Sequence, residues 1–291
     1  MLAFLQAQPM ETEPQLCAAL RSLRQRVMLR LLARDLSHQA DLAEVCATTT
    51  ALAETAIGAA LAWLEPRLEA EFGTPTTEAG ERQRLIVVGM GKLGGGELNV
   101  SSDVDLLFVY PEEGETRGGS ADQEHGPRSL SNHEFFTRLG RRLIAAIAEP
   151  TADGQVFRVD MRLRPWGDAG PLVASFDALE QYLVAQGREW ERYAWIKGRA
   201  LTGEAVAGWK PQTDTGWNAH SPLAAIVRPF IYRKYLDFGA FAAMRDLHAQ
   251  IRAEVARRDL ADHIKLGPGG IREIEFIAQA FQLIRGGRDP E

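Results

Sequence analysis

One 26-residue stretch, Leu85 to Tyr110, limits what this chain can fold into more than any other: LIVVGMGKLGGGELNVSSDVDLLFVY. The apolar run from Leu85 to Gly89 predicts a strand that runs directly into glycines. After a short helix or loop, Asp103-Val104-Asp105 opens a second strand. Side chains alternate along a strand, so carboxylates at i and i+2 share one face. Two like charges held that close are costly unless a cation lies between them. Magnesium suits such a pair, being hard, oxygen-liganded and commonly bound through carboxylates together with substrate phosphates. The glycines upstream offer bare backbone N–H groups to a phosphate. The stretch therefore reads as a metal site facing a phosphate site.

Gly89-Met90-Gly91-Lys92-Leu93-Gly94 also satisfies GxGxxG, the dinucleotide-binding fingerprint. That fold needs a full helix after the glycines and an acid at the end of the next strand. Here only Gly95 to Ser102 separates the motif from the next strand, and its acids stand at the start. A parallel crossover takes a dozen or more residues, so the dinucleotide reading is set aside. No GxxxxGK[ST], HExxH or nucleophile-elbow motif occurs. The six histidines are scattered and read as structural or solvated.

A third acid is supplied by GQVFRVDMRLRP. Phe157, Val159, Met161 and Leu163 alternate with Arg158, Asp160, Arg162 and Arg164, which predicts a strand over this segment with one apolar face. An exposed strand would look the same. Beside the Asp-x-Asp pair, Asp160 completes a metal site and the arginines suit phosphate oxygens.

The remainder reads as mostly helical. Leu16, Leu20, Leu23, Val27 and Leu31, then Leu61, Leu64 and Leu68, fall at helical spacing across 16–72, with Pro66 expected to kink or interrupt the last helix. Arginines 21, 24, 26, 30 and 34 read as a solvated face. The polar residues 73–84 read as a boundary, and 111–131 as a mobile surface loop. Ser131 and Glu134 predict a capping box for a helix whose buried stripe is Phe135, Leu139, Leu143 and Ile147. Ser175 is a candidate N-cap and Gly187 a helix stop. A loop is expected over 208–222, a helix through Met244, Leu247, Ile251 and Val255, and a last helix after Gly267–Gly270 burying Ile274, Ile277, Phe281 and Ile284. Trp166 and Trp190 read as core, as do Cys17 and Cys46, the only two cysteines. The expected organisation is a helical region 1–80, a core 81–172 and a helical region 173–291, with the early stop at Glu291 suggesting an excised piece.

Composition excludes little but is consistent. With 291 residues, 45% of them hydrophobic and 25% charged, the chain can bury a sizeable core. A net charge of −6 argues against a nucleic-acid duplex as partner. The absence of a disulfide framework, of a basic-then-apolar leader and of an apolar run near ~20 residues argues for a cytoplasmic protein with no membrane partner.

The spacing Gly91-Lys92, ten residues, Asp103-x-Asp105, then an acid on a later strand resembles nucleotidyltransferases of the DNA polymerase β type. That resemblance implies an α+β fold, a small mixed sheet with helices, flanked by helical parts and mostly helical overall. Lys92 stands where those proteins usually carry Ser. Longer segments, GMGKLGGGELNVSSDVDLLF, FRVDMRLRPWGDAGPLV, WERYAWIKGRAL and IKLGPGGIREIEFIAQ, are similar to the bifunctional glutamine synthetase adenylyltransferase/adenylyl-removing enzymes, from about Leu85 to Glu291. The wording is more similar to the half that removes AMP.

The resemblance implies two magnesium ions, with manganese as the alternative ion, on Asp103, Asp105 and Asp160. It implies nucleotide phosphates on Gly91, Lys92, Gly94 and Ser102, entering phosphate near Arg162 and Arg164, and Glu273 and Glu275 at the border of the site. Phosphorolysis of AMP-tyrosine on glutamine synthetase would give ADP. The rivals are ATP-dependent adenylylation by the same fold, a non-catalytic regulatory module, and nucleotidyl transfer to RNA or a small molecule. The implied partners are glutamine synthetase, ADP or ATP, orthophosphate and the PII signalling protein, with glutamine as a regulator.

Overall fold

A computed structural model describes residues 1–118, 129–202, 221–232 and, with gaps, 249–286. The expected loop 208–222 for the most part, part of the loop 111–131 and the expected helix through Met244–Val255 lie outside the described residues. Backbone contacts divide the chain into two compact units, one of 1–179 with 197–215, the other of 180–196 with 216–291.

The first unit begins with three helices: α1 (Leu2–Gln6), α2 (Glu13–Leu36) and α3 (Leu42–Phe72). Thr12 and Gln15 close a reciprocal capping box on α2, and Asp41 accepts from Glu44 N–H to cap α3. α3 runs through Pro66 without interruption. Leu61, Leu64 and Leu68 on either side of the proline are buried, and that burial outweighs one lost hydrogen bond. Contrary to the sequence expectation, α3 is long and apolar enough to cross a membrane by length and composition, but half of its apolar window is buried inside the protein. Alanines and threonines interleaved with leucines make it a close-packed core helix.

The polar segment 73–84 holds a short strand as well as turns. β1 (Thr74–Thr76) pairs antiparallel with β4 (Glu115–Arg117), and Gln83 is buried, accepting the Glu112 N–H at 2.9 Å. The pairing is non-local, so no local period announced it. Between them lie β2 (Ile86–Met90), the four-residue α4 (Gly91–Gly94) and β3 (Val104–Tyr110). β2 and β3 are antiparallel with Met90 opposite Asp105, which rules out the parallel crossover of a dinucleotide-binding unit.

α5 (Asn132–Ala148) follows, capped by Ser131, which accepts from Glu134 N–H. The Glu134 side chain takes Arg138 at 2.6 Å instead of reaching back, so the expected capping box is half made. Phe135, Leu139, Leu143 and Ile147 are all fully buried, as their spacing requires. β5 (Val159–Asp160) and β6 (Val173–Ser175) pair parallel with opposite ends of β3, and β7 (Arg199–Ala200) pairs antiparallel with β2. The sheet is therefore mixed, with α2, α3, α5 and the sheet contributing to one hydrophobic core. This is the expected α+β architecture, mostly helical.

The strand expected from the alternation Phe157 to Arg164 shrinks to Val159 and Asp160. Asp160 Oδ1 accepts the Arg162 N–H at 2.9 Å, an Asx-turn that ends the strand at the acid itself.

α6 (Phe176–Ala185) starts at Ser175, whose hydroxyl accepts from Ala178 N–H at 3.4 Å, and stops at Gly187, which donates to the Tyr182 carbonyl. In the second unit α7 (Glu189–Ile196), α8 (Pro222–Ile231) and α9 (Ile271–Arg285) are described. Tyr193 of α7 stacks on Phe276 of α9 at 5.3 Å. The stripe expected to be buried on α9 is not: Ile274, Ile277 and Phe281 are exposed, and Ile284 is only half-buried. The period was right, but a period shows only that one face is apolar, and no described element lies over this one. Cys17 and Cys46 are half-buried and free, and Trp166 and Trp190 are exposed, where core positions were expected.

Candidate functional site

The sheet register brings the predicted acids together along the backbone. β3 and β5 run parallel with Asp105 directly beside Asp160, so their side chains leave the same face, and Asp103 lies two residues upstream of Asp105. The glycine turn sits over the same place. Gly91 has φ +55°, a left-handed conformation that favours glycine, and a Cβ there would stand 2.7 Å from Asp105 Oδ2. Any side chain at Gly91 would displace the carboxylate.

Salt partners surround the outer acids. Arg158 bonds Asp103 through Nε and the Ser101 carbonyl through Nη2. Arg162 Nε lies 3.0 and 2.9 Å from the two Asp160 oxygens. The Arg162 hydrogen bonds hold the Asp160 carboxyl below the usual carboxylate range, against the opposing effect of partial burial. Among the described residues no three acid, histidine or cysteine side chains stand close enough together to hold a metal ion as positioned. The register sets Asp105 beside Asp160, while Asp103 bonds Arg158 and Asp160 bonds Arg162. Asp105 and Asp160 are hard oxygen donors adjacent in register, and in kind they suit a divalent cation.

Lys92 and Ser102 meet at this end of the sheet, Nζ to Oγ 3.4 Å, and Ser102 donates to Asn99 Oδ1 at 2.6 Å. Arg162 is largely exposed beside the acids, its side chain 73% accessible. Arg164 is held in the turn after β5, its Nη1 donating to the Met161 carbonyl at 2.8 Å and its Nε 3.4 Å from the Gly170 carbonyl, while its charge adds to the lowering of the Asp160 carboxyl. Glu273 and Glu275 belong to the second unit, where Glu273 accepts the Gly269 N–H at 2.8 Å.

Arg199 and Glu54 were not anticipated. Arg199, buried on β7, donates to the Gly94 carbonyl at 3.0 Å and the Leu93 carbonyl at 3.2 Å, and bonds Glu54 of α3. It thereby supplies a donor to the Gly94 carbonyl and a second one to the Leu93 carbonyl, which also accepts the Gly96 N–H at 3.1 Å. Gly94 has no space for a side chain, since a Cβ would overlap the Lys197 and Gly89 carbonyl oxygens. Nothing in the spacing of Lys-Gly-Arg-Ala signalled this clamp, because its partners lie 105 and 145 positions away.

Comparison with known proteins identifies the family. The family model for glutamate-ammonia ligase adenylyltransferase matches residues 2–213, and that for GlnD PII-uridylyltransferase matches 245–291. A protein of Chromobacterium violaceum named bifunctional glutamine synthetase adenylyltransferase/adenylyl-removing enzyme is 60% identical over 290 residues, covering 99% of this chain and 30% of that protein. Proteins of the same name from Burkholderia pseudomallei and Nitrosomonas europaea are 59% and 57% identical, covering 96% and 100% of this chain. The chain spans about 30% of the length of these relatives. On the extent of the family match and these identities, the chain belongs to the glutamate-ammonia ligase adenylyltransferase family.

Proposed function

We propose that this chain is an adenylyl-removing nucleotidyltransferase that phosphorolyses AMP-tyrosine on glutamine synthetase to ADP and unmodified enzyme. The observation that carries it is the parallel register of Asp105 with Asp160, beside a glycine turn braced from behind by Arg199. Membership of the family, and relatives named for adenylylation of glutamine synthetase and for its removal, support glutamine synthetase as the substrate.

Asp103, Asp105 and Asp160 would hold one or two divalent cations, magnesium or manganese, which supply charge neutralisation at the entering and leaving oxygens. The chain's own groups do the positioning that phosphoryl-type transfer chiefly needs. Gly91 presents backbone N–H where a side chain cannot fit. Lys92, tethered near Ser102, adds a cation to the nucleotide phosphate. Arg162, exposed beside Asp160, draws orthophosphate towards the anionic ester. An orthophosphate oxygen attacks the AMP phosphorus, the phosphorus–tyrosine oxygen bond breaks, and the phenolate leaves to take a proton from water. Orthophosphate is already anionic and requires no strong base. Arg164, occupied in the turn, supports Arg162 and has no direct part in this scheme.

The test is to incubate the 291-residue chain with AMP-modified glutamine synthetase, magnesium and orthophosphate. ADP appearing with loss of the modification supports the proposal. ATP-dependent labelling of unmodified glutamine synthetase, with no ADP from the modified form, assigns the opposite reaction.

A further inference from the structure

We propose that Trp166 is the platform on which the base of the bound nucleotide stacks. The inference rests on the nucleotidyltransferase reading above and names how the same site would recognise the nucleoside. Trp166 is 49% exposed and adopts φ 59°, ψ 11°. Only one other non-glycine residue among those described, His38, has a positive φ. For a bulky residue that conformation is strained, and it persists only where the surroundings impose it.

Those surroundings are specific. The turn leaves β5 at Asp160 and folds back on itself. Arg164 Nη1 donates to the Met161 carbonyl at 2.8 Å, Gly167 N–H to the Arg164 carbonyl at 2.8 Å, and Gly170 N–H to the Gly167 carbonyl at 3.1 Å. A Cβ at Gly167 would lie 3.5 Å from the Arg162 carbonyl oxygen, and one at Gly170 would overlap the Pro165 carbonyl oxygen. The loop that carries Arg162, the guanidinium on Asp160, therefore also carries Trp166 in a fixed place. A purely structural turn would take glycine or asparagine here at lower strain. A core tryptophan would be buried. A large flat apolar ring held half in solvent, a few residues from a phosphate-binding arginine, matches a nucleoside phosphate: anion at one end, aromatic base at the other.

The experiment measures binding to the full chain with magnesium of two probes, ADP and pyrophosphate, which lacks the base. The variants are Trp166→Asn, which suits the left-handed backbone without a ring, and Trp166→Phe, which keeps one. Trp166→Asn is expected to weaken ADP by about tenfold or more, and Trp166→Phe by no more than about threefold. Pyrophosphate affinity should stay the same in all three proteins, and Trp166→Asn should melt no lower than wild type. Unchanged ADP affinity in Trp166→Asn overturns the proposal, as does equal weakening of ADP and pyrophosphate, which would mean the ring only shapes the turn. Slower turnover of modified glutamine synthetase with unchanged ADP affinity also overturns it, assigning the ring to the protein substrate. If wild type binds neither probe, the nucleotidyltransferase reading falls as well; if wild type binds both and only the variant's effect is missing, the platform alone falls.

Discussion

Glu65 on α3 is buried, and its Oε1 has no hydrogen-bond partner. Burial pushes its carboxyl above the usual carboxylate range, with Arg82 acting the other way. A carboxyl whose folded pKa is raised binds its proton more tightly in the native state, so the protein loses stability as pH rises from the unfolded value through the folded one. Glu65→Gln is accordingly expected to raise the melting temperature at pH 7, by ~1 kcal/mol of stability. The gain should vanish near pH 4, where wild type is protonated too; thermal melts of both proteins across that range measure it. At the site, Asp105→Asn and Asp160→Asn should abolish ADP formation while circular dichroism stays native. For Asp160 the stability cost should be about 1 kcal/mol or less, because Arg162 is mostly exposed and the pair is screened. The sequence showed that Asp105 opens a strand, because an apolar run depends on a short window alone. The different fates of Arg162 and Arg164 were not legible in it, because which atoms an arginine meets depends on a turn that no local period encodes.

Elements show the same division. α5 followed its periodicity residue for residue, since a helix that must bury Phe135, Leu139, Leu143 and Ile147 has one solution. β5 did not, because alternation cannot reveal that Asp160 will cap its own strand. In the proposed function the glycine turn holds the nucleotide phosphate, and Gly94→Ala tests how tightly it is held. A methyl group there must push β7 away from α4, at a cost of ~2–3 kcal/mol and with loss of nucleotide affinity. Urea unfolding and ADP binding on one preparation would measure both. On α9 the apolar stripe was visible in the sequence and its exposure was not, since exposure depends on what packs against the helix.

In the molecule as a whole, the N-terminal helices belong to the same unit as the sheet. Arg21 on α2 is almost wholly buried and has carbonyl oxygens for partners: Gly154 at 2.8 Å, Cys17 at 2.9 Å, Ala146 at 3.2 Å, and Glu149. It closes the C-terminal end of α5 and the turn at 151–154, from which the chain runs on to Asp160. Arg21→Met would take from the Ala146 and Glu149 carbonyls the donor that the guanidinium supplies, so the expected loss is ~3 kcal/mol. Guanidinium unfolding should show it as a lower midpoint with an unchanged slope. An arginine read as part of a solvated face thus anchors the strand that delivers the third acid. Glu54 on α3 does likewise for the glycine turn through Arg199.

What the sequence alone determined were properties carried by short windows, namely the caps at Ser131 and Ser175, the buried stripe of α5 and the glycine turn after β2, together with a resemblance in longer segments that implied the α+β class. The caps, the stripe and the turn follow from backbone periods and φ preferences, which act over a few residues. What tertiary structure alone decided was partnership. It placed Asp105 beside Asp160, drew β7 against the glycine turn, buried Arg21, and left Trp166 strained and half in solvent. Each of these is a contact or an exposure set by residues dozens to more than a hundred positions apart, and a local pattern carries no information about which distant group arrives to fill the space.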